Sequence, residues 1–435
     1  MKLLIIGGGG REHAIIRKLK QSPKIEKLYC APGNGGIANE AQCIPVAATD
    51  IPGVLAWLKE NPVDLVFVAP DDPLAAGMVD ALTAAGIPAF GPEKLAAEIE
   101  GSKVFAKDLM KRYQIPTADY ESFSDVQAAL AYMRSRNRYP VVIKADGLAL
   151  GKGVVIAEDQ AQGERAIRQM MEDKIFGESG NRLVIEEFLI GKEVSVLAFT
   201  DGVTVCPMVS AKDHKRAYDG DRGPNTGGMG AVSPSPDYTQ ELAAVAMERI
   251  FRPTVKAMAA EGRSFRGVLY FGLILTEEGP KVIEYNARFG DPEAQVVLPR
   301  LETDLVEIIQ GILAQRLDQL EIRWSSEACA CVVMASGGYP GSYEKGIGIR
   351  GLGPDGQLAD SETEWGDGTG QKPVVYHSGT RKENGSYRTN GGRVLGVTAK
   401  GKDLTEALNL AYEGVAKISF EGAMCRKDIG QWGGK

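Results

Sequence analysis

The sequence is poor in the residues that usually announce a metal centre or a covalent catalyst. It holds three histidines in 435 residues, His13, His214 and His377, too few and too scattered for a zinc site. Its six cysteines (Cys30, Cys43, Cys206, Cys329, Cys331 and Cys425) form no CxxC pair. Cys329 and Cys331 share one face of an apolar strand-like run and cannot readily bridge. They read as buried free thiols in a reducing compartment, so a cytoplasmic location is expected. No Ser/His/Asp or Cys/His nucleophile set stands out. No apolar run approaches the roughly 20 residues that a membrane-spanning helix needs. The opening MKLLIIGGGGREHA breaks into glycines too early for a signal peptide. An excess of positive charge is also lacking: 50 Lys and Arg face 57 Asp and Glu, a net charge of −7. Nothing global would hold nucleic acid or an anionic membrane, so small-molecule partners are expected and anions must be held locally.

What is present is the material of an ordinary globular protein, 44% hydrophobic and 25% charged. The length favours about three domains of roughly 150 residues each. In residues 1–101 the short apolar runs KLLIIG, KLYCAPGN, DLVFVAP and IPAFGP alternate with helical stretches. Runs that end in Gly or Pro between helices predict a doubly wound parallel sheet. Residues 102–325 have another texture. A helix at 103–113 leads to a small α+β lid at about 116–190, built around the hairpin PVVIKAD–GVVIAE. Then come the strand EVSVLAFTDG, a long polar loop at 212–235, a helix at 239–261 and the hairpin GVLYFGLILTEEGPKVIEYNAR. Residues 326–435 predict a small C-terminal α+β domain of three strands and a helix at 404–418. Within it, 353–372 reads as a solvated acidic loop.

Two familiar nucleotide signatures fail. In Gly7-Gly8-Gly9-Gly10-Arg11-Glu12, Glu12 takes the place of the third glycine of GxGxxG. The second strand then ends in Cys30-Ala31-Pro32, without the acid that would take a ribose hydroxyl. NAD is disfavoured, and an anion at this helix start stays open. The run from Gly147 to Lys152 and Gly153 is one residue short of a P-loop and lacks the Ser or Thr after the lysine.

Four other constellations carry chemistry. Lys144, Gly147, Gly151, Lys152 and Gly153 put lysines and approachable backbone N–H groups on one hairpin, which suits a triphosphate as well as it suits a plain solvated turn. Glu284 and Asn286, two apart on a strand, present two oxygens to one side, as a hard cation such as Mg²⁺ requires. They run on into Arg288 and Asp291, an arginine and an acid of the kind that group-transfer sites use. Glu186, Glu187 and Phe188 end a strand where an adenine edge could sit, with Glu193 beyond. The 212–231 loop, with Asp213, Lys215, Gly227, Gly228, Met229 and Gly230, has the length of a substrate-gripping segment.

Together these segments resemble the ATP-grasp superfamily and, within it, the glycinamide ribonucleotide synthetases. The resemblance rests on GGGGREHA, APGNGG, GSKVFAKDLM, VIKADGLALGKGV, IEEFLIGKEVS, KDHKRAYDGDRGPNTGGMGA, VIEYNARFGDPE, SGGYPGSY, TNGGRVLGVTA and CRKDIG, from one end of the chain nearly to the other. It implies a multidomain α/β ATP-grasp architecture and the joining of glycine to 5-phosphoribosylamine through glycyl phosphate, with ATP and Mg²⁺ or Mn²⁺. It implies a monomer or weak dimer. It places the metal on Glu284 and Asn286. ATP goes to Lys103, Lys144, the 147–153 loop, Glu186, Glu187, Phe188 and Glu193. Arg288, Asp213, Lys215 and Asp291 fall to the chemistry. Gly9, Gly10, Asp71 and residues 227–230 fall to the substrates, with the ribose phosphate at the 7–10 turn. Asp71 stands where relatives carry Glu, and 268–275 lacks an acid that many superfamily members place there.

Overall fold

The apolar run at residues 3–6 is buried on both faces. Leu4 and Ile6 enter one core while Leu3 and Ile5 enter another, the period-two signature of a strand covered on both sides. In the computed structural model, which describes residues 1–148, 153–359, 365 and 371–431, this run is the central strand of a parallel sheet. β1 (Lys2–Gly7), β2 (Lys27–Pro32), β3 (Gln42–Cys43), β4 (Leu65–Val68) and β5 (Ala89–Phe90) are ordered β3-β2-β1-β4-β5. That is the doubly wound sheet expected. Ligands of such sheets bind at the carboxyl ends of the strands, and here those ends carry the 7–10 turn and Asp71.

The lid follows. β6 (Tyr120–Phe123), β7 (Val141–Ala145), β8 (Val154–Ala157) and β9 (Leu183–Glu187) form an antiparallel sheet in the order β6-β9-β7-β8. Helices Val126–Ser135 and Gln160–Met171 cover it with Leu130, Met133, Ile167 and Met170. Both helices start on an aspartate: Asp125 accepts from the Ala128 N–H (2.7 Å) and Asp159 from the Gln162 N–H (2.8 Å). Such caps stabilise by about 1 kcal/mol each. Of the glycine loop, 149–152 lies outside the described residues, and with it the expected phosphate contacts of Gly151 and Lys152.

β10 (Lys192–Asp201) and β11 (Val205–Pro207) open the central sheet. Next come β12 (Lys212–Asp213), β13 (Arg216–Tyr218), β14 (Arg222–Asn225) and β15 (Gly230–Ser233); then β16 (Arg266–Thr276) and β17 (Gly279–Asn286). The central sheet is ordered β11-β10-β16-β17. The last third supplies β18 (Ala328–Ala335), β19 (Val374–His377), β20 (Thr380–Glu383), β21 (Ser386–Thr389) and β22 (Arg393–Gly401), backed by helix Leu404–Ala416.

Two expectations need correction. The 212–235 stretch is not a loop: β12 and β15 are strands of the C-terminal sheet, whose order is β12-β15-β18-β22-β19, and β13 and β14 form a hairpin projecting from it. The polar composition misled because β12 and β13 carry charged side chains while their backbone groups pair. Nor is 353–372 simply solvated. Gln357 exchanges two hydrogen bonds with the Val375 backbone (3.0 and 2.9 Å), and Leu358 is buried. Residues 360–364 and 366–370 are outside the described set.

The CRKDIG segment returns to the β13–β14 hairpin. Arg426 is buried and binds Asp428 (2.7 and 2.8 Å) and Asp221 (2.7 Å), and the Gly430 N–H donates to His214 Nε2 (2.9 Å). Replacing Arg426 with Ala leaves Asp428 and its neighbours short of donors, an omission that costs about 1–3 kcal/mol. The expected result is a lower thermal midpoint and faster proteolytic cleavage within 216–225; an unchanged midpoint would remove the segment's fastening role.

Candidate active site

Helix Lys103–Arg112 begins at Ser102, whose hydroxyl accepts from the Phe105 N–H (3.1 Å) and donates to Asp146 (3.0 Å). That cap aims Lys103 at the glycine loop, where its ammonium meets the Gly147 carbonyl at 2.8 Å. Burial and the neighbouring Lys144 lower its pKa. Lys144, on β7, donates to the Ile283 carbonyl (2.8 Å) and so ties lid to central sheet. Glu186 lies 3.1 Å from Lys144 and 3.0 Å from Lys107, whose pKa burial pushes down to about 8. Glu186 was expected at adenine. It is buried and engaged by two ammonium groups, so in this structure it orders the lysines. Glu187 accepts from the Asp119 N–H (3.1 Å). Phe188 is 39% exposed.

On β17 the burial pattern alternates, with Tyr285 inward and Glu284 and Asn286 on the opposite face. Gly272 of β16 is the partner of Glu284, and a Cβ there would lie 2.8 Å from Glu284 Cγ. The glycine therefore leaves room beside the carboxylate. Lys215 Nζ lies 3.3 Å from Glu284 and 3.2 Å from Glu193. That ammonium is the main reason the Glu284 pKa falls to about 2. Burial would lower Lys215, but Glu193, Glu284 and Asp213 outweigh it and hold the lysine well above its ordinary range. An ionised carboxylate and an amide oxygen on one face, with space beside them, fit a hard divalent cation. No group of three or more His, Cys, Asp or Glu side chains is gathered for a metal among the described residues.

Beyond β17, Arg288 pairs with Glu100 (2.9 Å) and donates to Asn286 (3.3 Å) and to the Phe289 carbonyl (3.1 Å). Its Nε is buried with no hydrogen-bond partner among the described residues. Burial opposes its charge, but Glu100, Asp71, Glu293 and Tyr270 raise its pKa. Asp71 thus faces the site electrostatically. Asp213 sits on β12, and burial pushes its pKa up to about 7 although Lys215 pulls the other way. Glu293 and Tyr270 share this pocket, joined through the Ser195 hydroxyl, which lies 2.7 Å from the Tyr270 hydroxyl and 3.4 Å from Glu293.

The 7–10 turn does reach the site, but its expected anion seat is closed from within. The Gly9 N–H donates to Glu12 (2.6 Å), and the start of helix Gly10–Leu19 faces the Asp291 carboxylate. A Cβ at Gly10 would lie 2.6 Å from both Gln295 and Ser378. Asp291, expected to grip substrate, already accepts from Gln295 (2.7 Å) and pairs with Arg393 (3.2 Å). Burial opposes its ionisation, yet Arg393 and Arg11 keep its pKa lowered. Met229 is a further correction. Its side chain is fully buried, its N–H donates to the His214 carbonyl (2.8 Å) and its carbonyl accepts from the Val333 N–H (3.0 Å). Gly228 and Gly230 are buried as well, Gly230 within β15, so of 227–230 only Gly227 is exposed.

Family models now bear on this geometry. Phosphoribosylglycinamide synthetase matches in its N domain over 1–100, its ATP-grasp (A) domain over 101–294 and its C domain over 329–432. The chain belongs to the phosphoribosylglycinamide synthetase family. It is therefore a ligase of the ATP-grasp kind. The phosphoribosylamine–glycine ligase of Caldanaerobacter subterraneus subsp. tengcongensis is 46% identical, covering 99% of each chain. The crystal structure of the Thermotoga maritima phosphoribosylamine–glycine ligase superposes with a TM-score of 0.84 at 31% identity, over 99% of this chain and 100% of that one. The biotin carboxylase domain of Hydrogenobacter thermophilus 2-oxoglutarate carboxylase, solved with MgADP and bicarbonate, shares the fold at TM-score 0.73 and 17% identity, over 98% of this chain and 91% of that one.

Sequence reasoning missed Glu100, Lys107, Tyr270, Glu293, Arg11 and Arg393. Arg11, Lys107, Glu293 and Arg393 stood inside recognised strings; Glu100 and Tyr270 did not, and packing alone brings them to the site. Family membership sharpens one expectation. Glu284→Gln keeps the shape but removes the only charge of the proposed metal pair, so ADP release should fall by at least about 10². The circular-dichroism spectrum should not change. Near-normal turnover at saturating Mg²⁺ would move the metal elsewhere.

Proposed function

We propose that this chain joins glycine to 5-phosphoribosylamine with ATP, giving glycinamide ribonucleotide, ADP and phosphate through glycyl phosphate. The supporting observation is the line of groups from Lys103 and Lys144, past Glu284 and Asn286, to Arg288 and Asp213. Cations that suit phosphates lie at one end, and an arginine and a carboxyl that can hold a proton at the other. That MgADP occupies a protein of the same fold supports ATP and a divalent cation here.

Glycine's carboxylate is a poor acyl donor until its oxygen carries a phosphoryl group. Lys103 and Lys144 hold the triphosphate, and Phe188 offers the base an apolar face. Mg²⁺ or Mn²⁺ on Glu284 and Asn286 would neutralise charge on the β- and γ-phosphates. Arg288, fixed by Glu100, supplies positive charge beside the acyl phosphate, where a donor stabilises developing charge. The amine nitrogen then bonds to the carbonyl carbon, the C–O bond to phosphate breaks, and the proton shed by nitrogen passes to Asp213. A carboxyl near pKa 7 is matched to that task.

Glycine labelled with ¹⁸O in its carboxylate should pass one ¹⁸O into the released phosphate; phosphate free of label would end the acyl-phosphate reading. Arg288→Lys should lower kcat by about 10²–10³ with little change in ATP affinity. Asp213 accepts a proton only when ionised, so amide formation should rise with pH through about 7. Asp213→Asn should erase that step, and a step that survived would belong to another group.

A further inference from the structure

Arg393 stands at the start of β22, in the C-terminal sheet, where its carbonyl accepts from the Gly379 N–H (2.9 Å), while its side chain reaches residues 227 and 291. Its guanidinium donates to the Gly227 carbonyl (2.5 Å) and the Asp291 carbonyl (2.7 Å), and pairs with the Asp291 carboxylate (3.2 Å). These groups belong to two separate segments. The 227–228 segment and the 291–292 turn are in close contact, since a Cβ at Gly228 would lie 2.5 Å from Pro292 Cδ. Gly228 has φ +107°, so a side chain there would be strained as well as crowded. Asp291 in turn faces the first turn of helix Gly10–Leu19. One guanidinium at the start of β22 therefore fastens the segment leading into β15 to the 291–292 turn, at the point where Asp291 meets the first helix of the N-terminal domain. None of the nucleotide-holding lysines touches it.

We propose that Arg393 is a positioning residue for the second half-reaction: it fixes the 227–228 segment against the 291–292 turn and so builds the site at which the amine meets the acyl phosphate. This rests on the acyl-phosphate reading above. A fork that holds two carbonyls and a carboxylate at once cannot be replaced by a point charge. When the fork is lost, the amine is misplaced while phosphoryl transfer to glycine proceeds, and water takes the acyl phosphate. The chain then releases ADP, phosphate and unchanged glycine without forming amide.

The test measures ADP released per amide formed in wild type, Arg393→Gln and Arg393→Lys, with Michaelis constants for each substrate. For Arg393→Gln, kcat/KM for the amine should fall by roughly 10² and the ADP-to-amide ratio should climb severalfold above one. The constants for ATP and glycine should stay within about twofold of wild type. Arg393→Lys should restore folding stability but only part of the coupling. Should Arg393→Gln fail to fold, Asp291→Asn breaks the same ion pair with shape kept and should uncouple likewise. Equal loss of ADP release and amide formation, or a ratio that stays at one, overturns the proposal. The ¹⁸O measurement on wild type separates the two ideas. Unlabelled phosphate there removes glycyl phosphate, while the ADP-to-amide ratio still decides whether Arg393 couples the reaction.

Discussion

The Lys215 ammonium, held between Glu193 and Glu284, is the interaction on which the rest of the site depends. Three carboxyls and a lysine lie together there, Glu193 and Glu284 partly open to solvent, and the lysine offsets the repulsion among the like charges. The lysine keeps Glu284 ionised and thereby fit to hold a cation. It leaves Asp213 short of a full partner, so that this acid sits near neutrality while Glu284 does not. Two carboxyls of similar chemistry thus acquire different tasks from their surroundings alone. The same pairing recurs at Glu186 with two lysines and at Glu100 with Arg288.

Much of this was legible in the chain. The run at 3–6 announced a strand covered on both faces, and the alternation around Tyr285 announced that Glu284 and Asn286 face one way. Local periodicity sets both, and local periodicity is what a sequence displays. What stayed hidden depends on contacts between distant segments. Nothing near Glu100 marks it as the partner of Arg288, and nothing near Asp291 reveals that a helix start and an arginine a hundred residues on would claim its oxygens. The polar string at 212–235 looked like a loop because strand-forming backbone bonds carry no compositional mark when their side chains are charged.

The 7–10 turn shows how a sound physical rule can lose to a nearer competitor. Helix starts attract anions. Here the attraction is met by the chain's own carboxylates, Glu12 from within the helix and Asp291 from across the site. The glycines serve close packing against Gln295 and Ser378, with no free N–H cradle at Gly9.

The interleaving of β12 and β15 with β18 has a consequence for a chain made from its N-terminus. Val232 pairs with Ala330, so the strand that carries Asp213 has its inner neighbour anchored only after about a hundred further residues have been added. Lys103, Lys144, the β6–β9 sheet and β17 all precede that point. The sheet that carries Asp213 is thus completed after the segments that carry Lys103, Lys144 and Glu284 have been made. The surroundings of Asp213 therefore depend on residues made about a hundred positions later.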